Sequence, residues 1–346
     1  MRGRRTPAGG EEFRPVFHPA GFDTELRMAL EDLRVGRWMS TRDLLARTST
    51  HWPLRTSRSQ VLAAAAAKSQ VVQTWLAEEP DSADAQMMRA RVAVSRAVQA
   101  HGQRHESAAR MAQEARHVSR IATQRAPDDP VPWLCLLTLA QLDVRRERPE
   151  HQQRPWEPML PAGPWGLLYE IYVRDRYNRE AYHRMLQFFH ALLGTSHASA
   201  IDFSRWVVSW APEQSPLRVL PLYACAEYYH RRRTQGGIDP LLGRQWAREP
   251  VIHDIDRALS WFAHTEPGGQ SVLDLNHLAH ALWAGERFAD AARVFTALGP
   301  YVTRLPWAYM TEGPGPGDPE AATEVFLRAR TQCLTAYSGG APRAGP

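Results

Sequence analysis

The sequence predicts an all-α protein of stacked antiparallel helix pairs, an α-solenoid, and three observations carry that reading. Strand signals are nearly absent: no Asn-Gly or Asp-Gly hairpin turn lies between alternating apolar segments. Helical periodicity recurs along most of the chain, broken by short acidic proline turns. Those turns fall several tens of residues apart, the spacing of one helix pair plus a variable loop.

The turns come in order. In WLAEEPDSADAQMMRARV, Pro80 stops one helix and Ser82 or Asp84 can cap the next. ATQRAPDDPVPWLCLLTLA repeats the pattern around Pro127, and YVRDRYNREAYHRML does so around Asn178. WVVSWAPEQSPLRVLPLY uses Pro212, and HTEPGGQSVLDLNHLAHAL uses Pro267. A last helix is expected over about 319–336 after the loop EGPGPGDPE. Each unit should pack only on its neighbours in sequence, leaving a concave inner face.

The clearest unit is LNHLAHALWAGERFADAARVFTALGP, residues 275–300. Leu278, Ala279 and Leu282 lie on its first helix, and Ala291 and Phe295 on its second. Small residues at the closest crossing, with large ones beside them, let two antiparallel helices interlock. This spacing resembles the tetratricopeptide repeat, with Ala279, Ala291 and Phe295 at its small-small-aromatic positions. Elsewhere the unit lengths are irregular. More broadly, GRWMSTRDLLART, APDDPVPWLCLL, YNREAYHRMLQ, APEQSPLRVLPL and AGERFADAARVF make the chain similar to helical-repeat proteins of high-GC actinobacteria. The resemblance implies a solenoid with a binding role, and it carries over no catalytic residue.

Composition fits this class. A chain of 346 residues with 44% apolar and 23% charged content is ordinary for a folded soluble protein. Lys68 is the one lysine among 42 basic residues, which points to a GC-rich genome. A net charge of +5 spread over so large a surface makes no case for nucleic acid. Cys135, Cys225 and Cys333 are far apart and odd in number, so no disulfide framework is expected. MRGRRTPAGGEEFRP has no apolar run behind its basic residues, and VLAAAAA is too short to span a bilayer. A cytoplasmic setting follows. Residues 1–20 read as a disordered tail and 21–144 as N-terminal repeats. RRERPEHQQRPWEPMLPAGPWG, residues 145–166, has five prolines and reads as a connection between halves. Residues 167–337 form the C-terminal repeats and 338–346 a second tail.

Two Glu-x-x-His pairs, Glu180/His183 and Glu227/His230, raise the possibility of a carboxylate-bridged di-metal enzyme. On a helical wheel, Tyr182, Met185, Leu186, Phe189, Leu192 and Leu193 share an apolar arc, and Glu180 lies almost opposite its centre. That places Glu180 outward and wet, at a helix start where an acid suits the positive dipole end. His183 and His190 lie on the polar flank, and His197 follows. His230 falls on the edge of the Val219, Leu222, Ala226, Tyr229 face, where a carbonyl hydrogen bond is the ordinary outcome. Pro221 sits near the start of that helix. His277 and His280 project from the polar side of DLNHLAHALW beside Asp274, two exposed imidazoles without further ligands. H-E-x-x-H, G-x-S-x-G and a P-loop are all missing, and GGQS reads as a turn. No catalytic residue and no cofactor is therefore expected.

Two features suit a partner. Arg231, Arg232 and Arg233 end a helix, and Arg145, Arg146 and Arg148 lie in the connection; both sets fit capping and solvation better than phosphate contact. A nucleic-acid-associated regulator using them is the other alternative. Trp75, Trp133, Trp206, Trp210, Trp261, Trp283 and Trp307 sit beside helix ends or turns and should pack between pairs. Trp156 and Trp165 lie in the proline-rich connection, where they either pin it to the array or offer hot spots to a protein. The sequence thus leads to a non-enzymatic scaffold that binds a protein or peptide.

Overall fold

Helix starts follow from side chains that satisfy the first free backbone amides. In this computed structural model, which describes residues 13–192, 198–235, 242–266, 268–311 and 318–340, Asp23 caps α1 (Thr24–Arg34) by accepting from the Leu26 amide. Then come α2 (Met39–Thr48), α3 (Trp52–Ala66) and α4 (Val71–Glu78). Ser82 caps α5 (Ala83–Gly102), as its place after Pro80 predicts. After α6 (Ala108–Arg125), Asp129 caps α7 (Pro130–Ala140), whose first residue is a proline that needs no amide partner. α8 (Trp165–Tyr172) leads to α9 (Arg179–Ala191), which Asn178 caps through the Ala181 amide. α10 (Ala198–Trp210), α11 (Leu220–Gln235), α12 (Val251–His264), α13 (Val272–Ala284), α14 (Phe288–Leu298) and α15 (Pro319–Gly340) complete the chain. The last runs four residues beyond its expected end. Pro221 is in the first turn of α11, where it does no harm. Among the described residues there are only two isolated β-bridges and no strand; the chain is all-α. Leu193, His197, Pro267, residues 1–12 and 341–346, and most of the EGPGPGDPE loop (312–317) lie outside the described residues.

Four hydrophobic clusters succeed one another, and each hands over at a shared helix. The first draws on α1 to α5 and Val131 of α7, the second on α5 to α7, the third on α7 to α11 and the fourth on α11 to α15. A helix shared by two clusters needs apolar side chains on more than one face. α7 shows this: of PVPWLCLLTLA, every residue except Trp133 is buried. In the α13–α14 unit Leu278, Ala279, Leu282, Ala291 and Phe295 are all buried in the fourth cluster, as the sequence predicts.

Packing is not confined to neighbours in sequence. Residues 13–20, read from the sequence as part of a disordered tail, lie against the C-terminal helices. Val16 donates to the Pro300 carbonyl at 2.7 Å and accepts from the Val302 amide at 3.1 Å. Phe13 stacks on Phe326, and the Arg330 guanidinium sits 3.7 Å from the Phe13 ring centre. Phe22 meets Tyr301 edge-on, and Arg27 donates to the Tyr301 hydroxyl. Gly21 makes the approach possible: its φ is +53°, and a Cβ there would lie 2.7 Å from Val272 Cγ2. The first helix of the chain is thereby tied to the last three.

The 145–166 connection is ordered too. Asp143 accepts from the Glu147 and Arg148 amides and holds the buried His151 ring at 2.7 Å. Gln153 and Gly163 exchange both backbone hydrogen bonds. Leu134, Leu137 and Ala140, before the connection, share one apolar cluster with Trp165, Leu168 and Phe189, after it.

Candidate functional site

Glu180 is not outward. It is 4% exposed, and Arg91 of α5 grips it with both terminal nitrogens at 2.7 Å. Arg184, one turn on, adds two more donors to the same carboxylate at 2.8 and 3.0 Å. Burial alone would raise the Glu180 pKa, but the two guanidinium groups override it and pull it down to about 2. The wheel failed because it assumes one buried face. α9 touches α3, α7, α8, α10 and α11, so its first turn is enclosed while Tyr182, Met185, Leu186, Phe189 and Leu192 fill the opposite side.

The histidines of α13 correct the same assumption. His277 and His280 are 3% and 1% exposed. The His277 ring stacks on Tyr223 at 3.6 Å, with Nδ1 2.9 Å from the Leu273 carbonyl. Rings of Trp246, Trp283 and Trp307 surround His280. Burial pushes both imidazoles down to about 3. Asp274 accepts from Arg179 at 2.7 Å and from the Tyr223 hydroxyl at 2.6 Å. His183 meets Tyr223 edge-on, its Nε2 buried without a hydrogen-bond partner; burial and then Arg179 push it well below its ordinary value.

Glu227 is engaged elsewhere, accepting from the Tyr309 hydroxyl at 2.6 Å and Arg231 at 2.7 Å. His230 is half-buried, as its edge position predicts. It stacks on Tyr309 at 4.4 Å, and its Nδ1 has no hydrogen-bond partner, where a carbonyl contact was expected. The two Glu-x-x-His pairs thus face different partners, and both Glu180 oxygens are taken by arginine. Among the described residues no three His, Cys, Asp or Glu side chains are grouped to hold a metal.

Arg231 also donates to the His190 carbonyl, so it serves packing within the helices. Arg232, Arg145 and Arg148 are exposed, and Arg233 and Arg146 are partly so. The three cysteines are free and buried, their thiols pushed up by burial to about 12, 12 and 11 for Cys135, Cys225 and Cys333. No described helix is long and apolar enough to cross a membrane.

The two tryptophans of the connection differ in burial. Trp165 is the pin: it is 1% exposed and donates Nε1 to the Pro161 carbonyl at 3.0 Å. Trp156 is 43% exposed and forms one wall of a cavity of about 390 Å³. The other walls are Tyr169 and Tyr172, one turn apart on α8, then Arg176 in the following turn, and Trp206 and Trp210, one turn apart on α10. Trp156 lies 5.6 Å from Tyr172 and 6.2 Å from Trp206, and Trp206 lies 5.6 Å from Trp210, ring centre to ring centre. The rings are tilted or edge-on to one another, so they enclose a hollow. Arg176 holds its guanidinium 5.4 Å from the rings of both Tyr172 and Tyr177. The indole Nε1 of Trp210 is buried with no acceptor.

The sequence singles out Trp156 but not Tyr169, Tyr172 or Arg176, and Trp206 and Trp210 pack against the third cluster, as expected, while also lining this cavity. The available signal was two aromatic pairs at helical spacing, Tyr169/Tyr172 and Trp206/Trp210, flanking the proline-rich connection. A second cleft of about 380 Å³ is lined by Leu45, Trp52, Arg55, Asp84 and Asp129, but its arginine is already neutralised by both aspartates.

These features define an all-α protein with an open aromatic pocket. No family model, curated protein or solved structure matches the chain.

Proposed function

We propose that the protein is a non-enzymatic scaffold that binds a protein or peptide, its helices stacked as an irregular tetratricopeptide-like array. One observation carries the reading: the half-exposed Trp156 lines an aromatic cavity together with residues of α8 and α10. Large aromatic side chains that are fixed in place and open to solvent give much contact area at little entropic cost, which is why they anchor interfaces. A cavity of about 390 Å³ is large enough to take a few side chains of a partner. The concave inner face expected of a repeat array would be the wider surface around it, in a cytoplasmic setting.

A peptide-display selection against the full chain tests this. Enriched peptides should lose at least tenfold in retention on the Trp156→Ala variant, which circular dichroism should find folded because the side chain is half-exposed. A selection that enriches nothing, or enriches peptides indifferent to Trp156→Ala, overturns the proposal.

A further inference from the structure

We infer that the groove between residues 300–302 and α15 docks an extended segment of another protein, one with an acidic residue, then an aromatic one, then an aliphatic one three positions on. Residues 13–16 fill this groove in cis. It shares no residue with the Trp156 cavity, so it is a second surface that stands or falls apart from the first.

The seated segment shows what the groove accepts. Val16 forms a parallel bridge with Tyr301, donating to the Pro300 carbonyl and accepting from the Val302 amide. This is strand addition, in which main-chain groups give affinity and side-chain pockets give specificity. The pocket here takes the ring three residues earlier. Phe13 stacks on Phe326 with ring centres 6.3 Å apart, and Arg330 sits over its face.

The groove does not depend on its cover. Phe326 is held from its other side by Phe295 and Trp307, at 5.6 and 5.4 Å between ring centres. Tyr301 is held by Phe22 and Arg27. The cover itself is thin: none of residues 13–17 is buried, and Val16 and Phe17 are 38% and 51% exposed. One pair of backbone hydrogen bonds and one stacked ring are contacts that a competing segment reproduces, and elements so lightly held open at low cost.

Charge completes the pattern. Among the described residues Arg330 has no ion pair; its guanidinium meets the Phe13 ring, and its Nε has no acceptor. Burial lowers its pKa, and no acidic neighbour offsets that. The residue is partly exposed, so a carboxylate beside the aromatic residue of a ligand can supply the missing counter-charge.

Fluorescence polarisation with the full chain tests this. The labelled probe is EEFRPVFHPA, the sequence of residues 11–20, which has the required pattern. One analogue has alanine in place of Phe13, and another has lysine in place of Glu11 and Glu12. The double variant Phe13→Ser, Val16→Pro removes the ring and the amide donor of the cis segment. It should bind the probe saturably and at least tenfold tighter than the wild type does, because its groove is free. The alanine analogue should lose at least tenfold and the lysine analogue at least fivefold. Adding Arg330→Gln should erase the preference for glutamate over lysine, and adding Trp156→Ala should change nothing. Hydrogen exchange on the wild type needs no variant: excess probe should deprotect the Val16 amide while the Val302 amide stays protected. A folded double variant that binds no better than the wild type overturns the inference, and so does unchanged Val16 protection under excess probe. A wild type that dimerises with concentration, and loses the dimer in the double variant, also overturns it, because the occupant is then a second copy's segment. All three results leave the reading of the Trp156 cavity standing.

Discussion

Replacing Glu180 by glutamine should destabilise the fold by about 3–5 kcal/mol, the cost of leaving a buried charge without its counter-ion. Arg91 is 5% exposed, and its terminal nitrogens have one acceptor besides Glu180, the Thr56 carbonyl at 3.3 Å; its Nε has none. Glu180→Gln keeps the shape, removes the charge and turns one acceptor oxygen into a donor facing a guanidinium. The pKa gives an independent magnitude. A carboxylate held at about 2 in the fold, against an ordinary value of 4.5, contributes about 3 kcal/mol near neutral pH. The sign follows from the depression: this contribution is complete above pH 4.5 and is lost as pH falls toward 2. Urea unfolding at pH 7, followed by circular dichroism, should show the midpoint falling in the variant. The double variant Arg91→Met, Glu180→Leu removes both charges and should recover most of the loss. A single variant within 1 kcal/mol of the wild type would refute the reasoning. So would a double variant no more stable than the single one.

Two further outcomes follow from the same structure. His277 and His280 are held neutral, with pKa values near 3 against 6.5 when unfolded, so below pH 6.5 the unfolded chain binds protons that the fold does not. At pH 5 each should cost about 2 kcal/mol, and urea midpoints measured from pH 7 to 5 should fall accordingly; a flat profile would contradict their burial. Gly21→Ala places a Cβ 2.7 Å from Val272 Cγ2 at a positive φ and should cost about 1–2 kcal/mol or more. Hydrogen exchange should then show the start of the chain and residues 300–302 opening together, and unchanged protection there would count against the docked N-terminal segment.

Helix content, the Ser82 cap and the α13–α14 unit were legible because they depend on local chemistry, and the Asp129 and Asn178 caps rest on the same chemistry. Ser82, Asp129 and Asn178 each stand where a free amide needs an acceptor, and no distant residue changes that. The places where the reading failed share a physical cause. A wheel ranks residues against a single apolar face, yet α9 and α13 are enclosed on several sides, so Glu180, Asp274, His277 and His280 are buried beside partners remote in sequence. Arg91 and Glu180 are 89 positions apart, and Arg179 and Asp274 are 95 apart. Nothing in local periodicity pairs them. The pocket was half legible for a similar reason. The position of Trp156 outside a helix set it apart, whereas Tyr169, Tyr172, Trp206 and Trp210 look like core until α8 and α10 are brought together.

The buried pairs also obey a rule that bears on how the helices keep their alignment. Arg55 reaches Asp84 and Asp129, Arg58 reaches Asp23, and Arg91 reaches Glu180. Arg179 reaches Asp274, and Arg205 reaches Asp254. Every one of these carboxylates is an N-cap or lies in the first turn of its helix. There the helix dipole already favours a negative charge, and the arginine then joins that helix start to another helix. Apolar faces alone tolerate sliding, because leucine meets alanine almost as well one turn along. A guanidinium fork taken out of water does not slide, since a shift of one turn leaves both charges buried and unpaired. Lysine cannot make the two-pronged contact seen at Glu180, so a chain with 41 arginines and one lysine carries a composition suited to this way of holding helices in register.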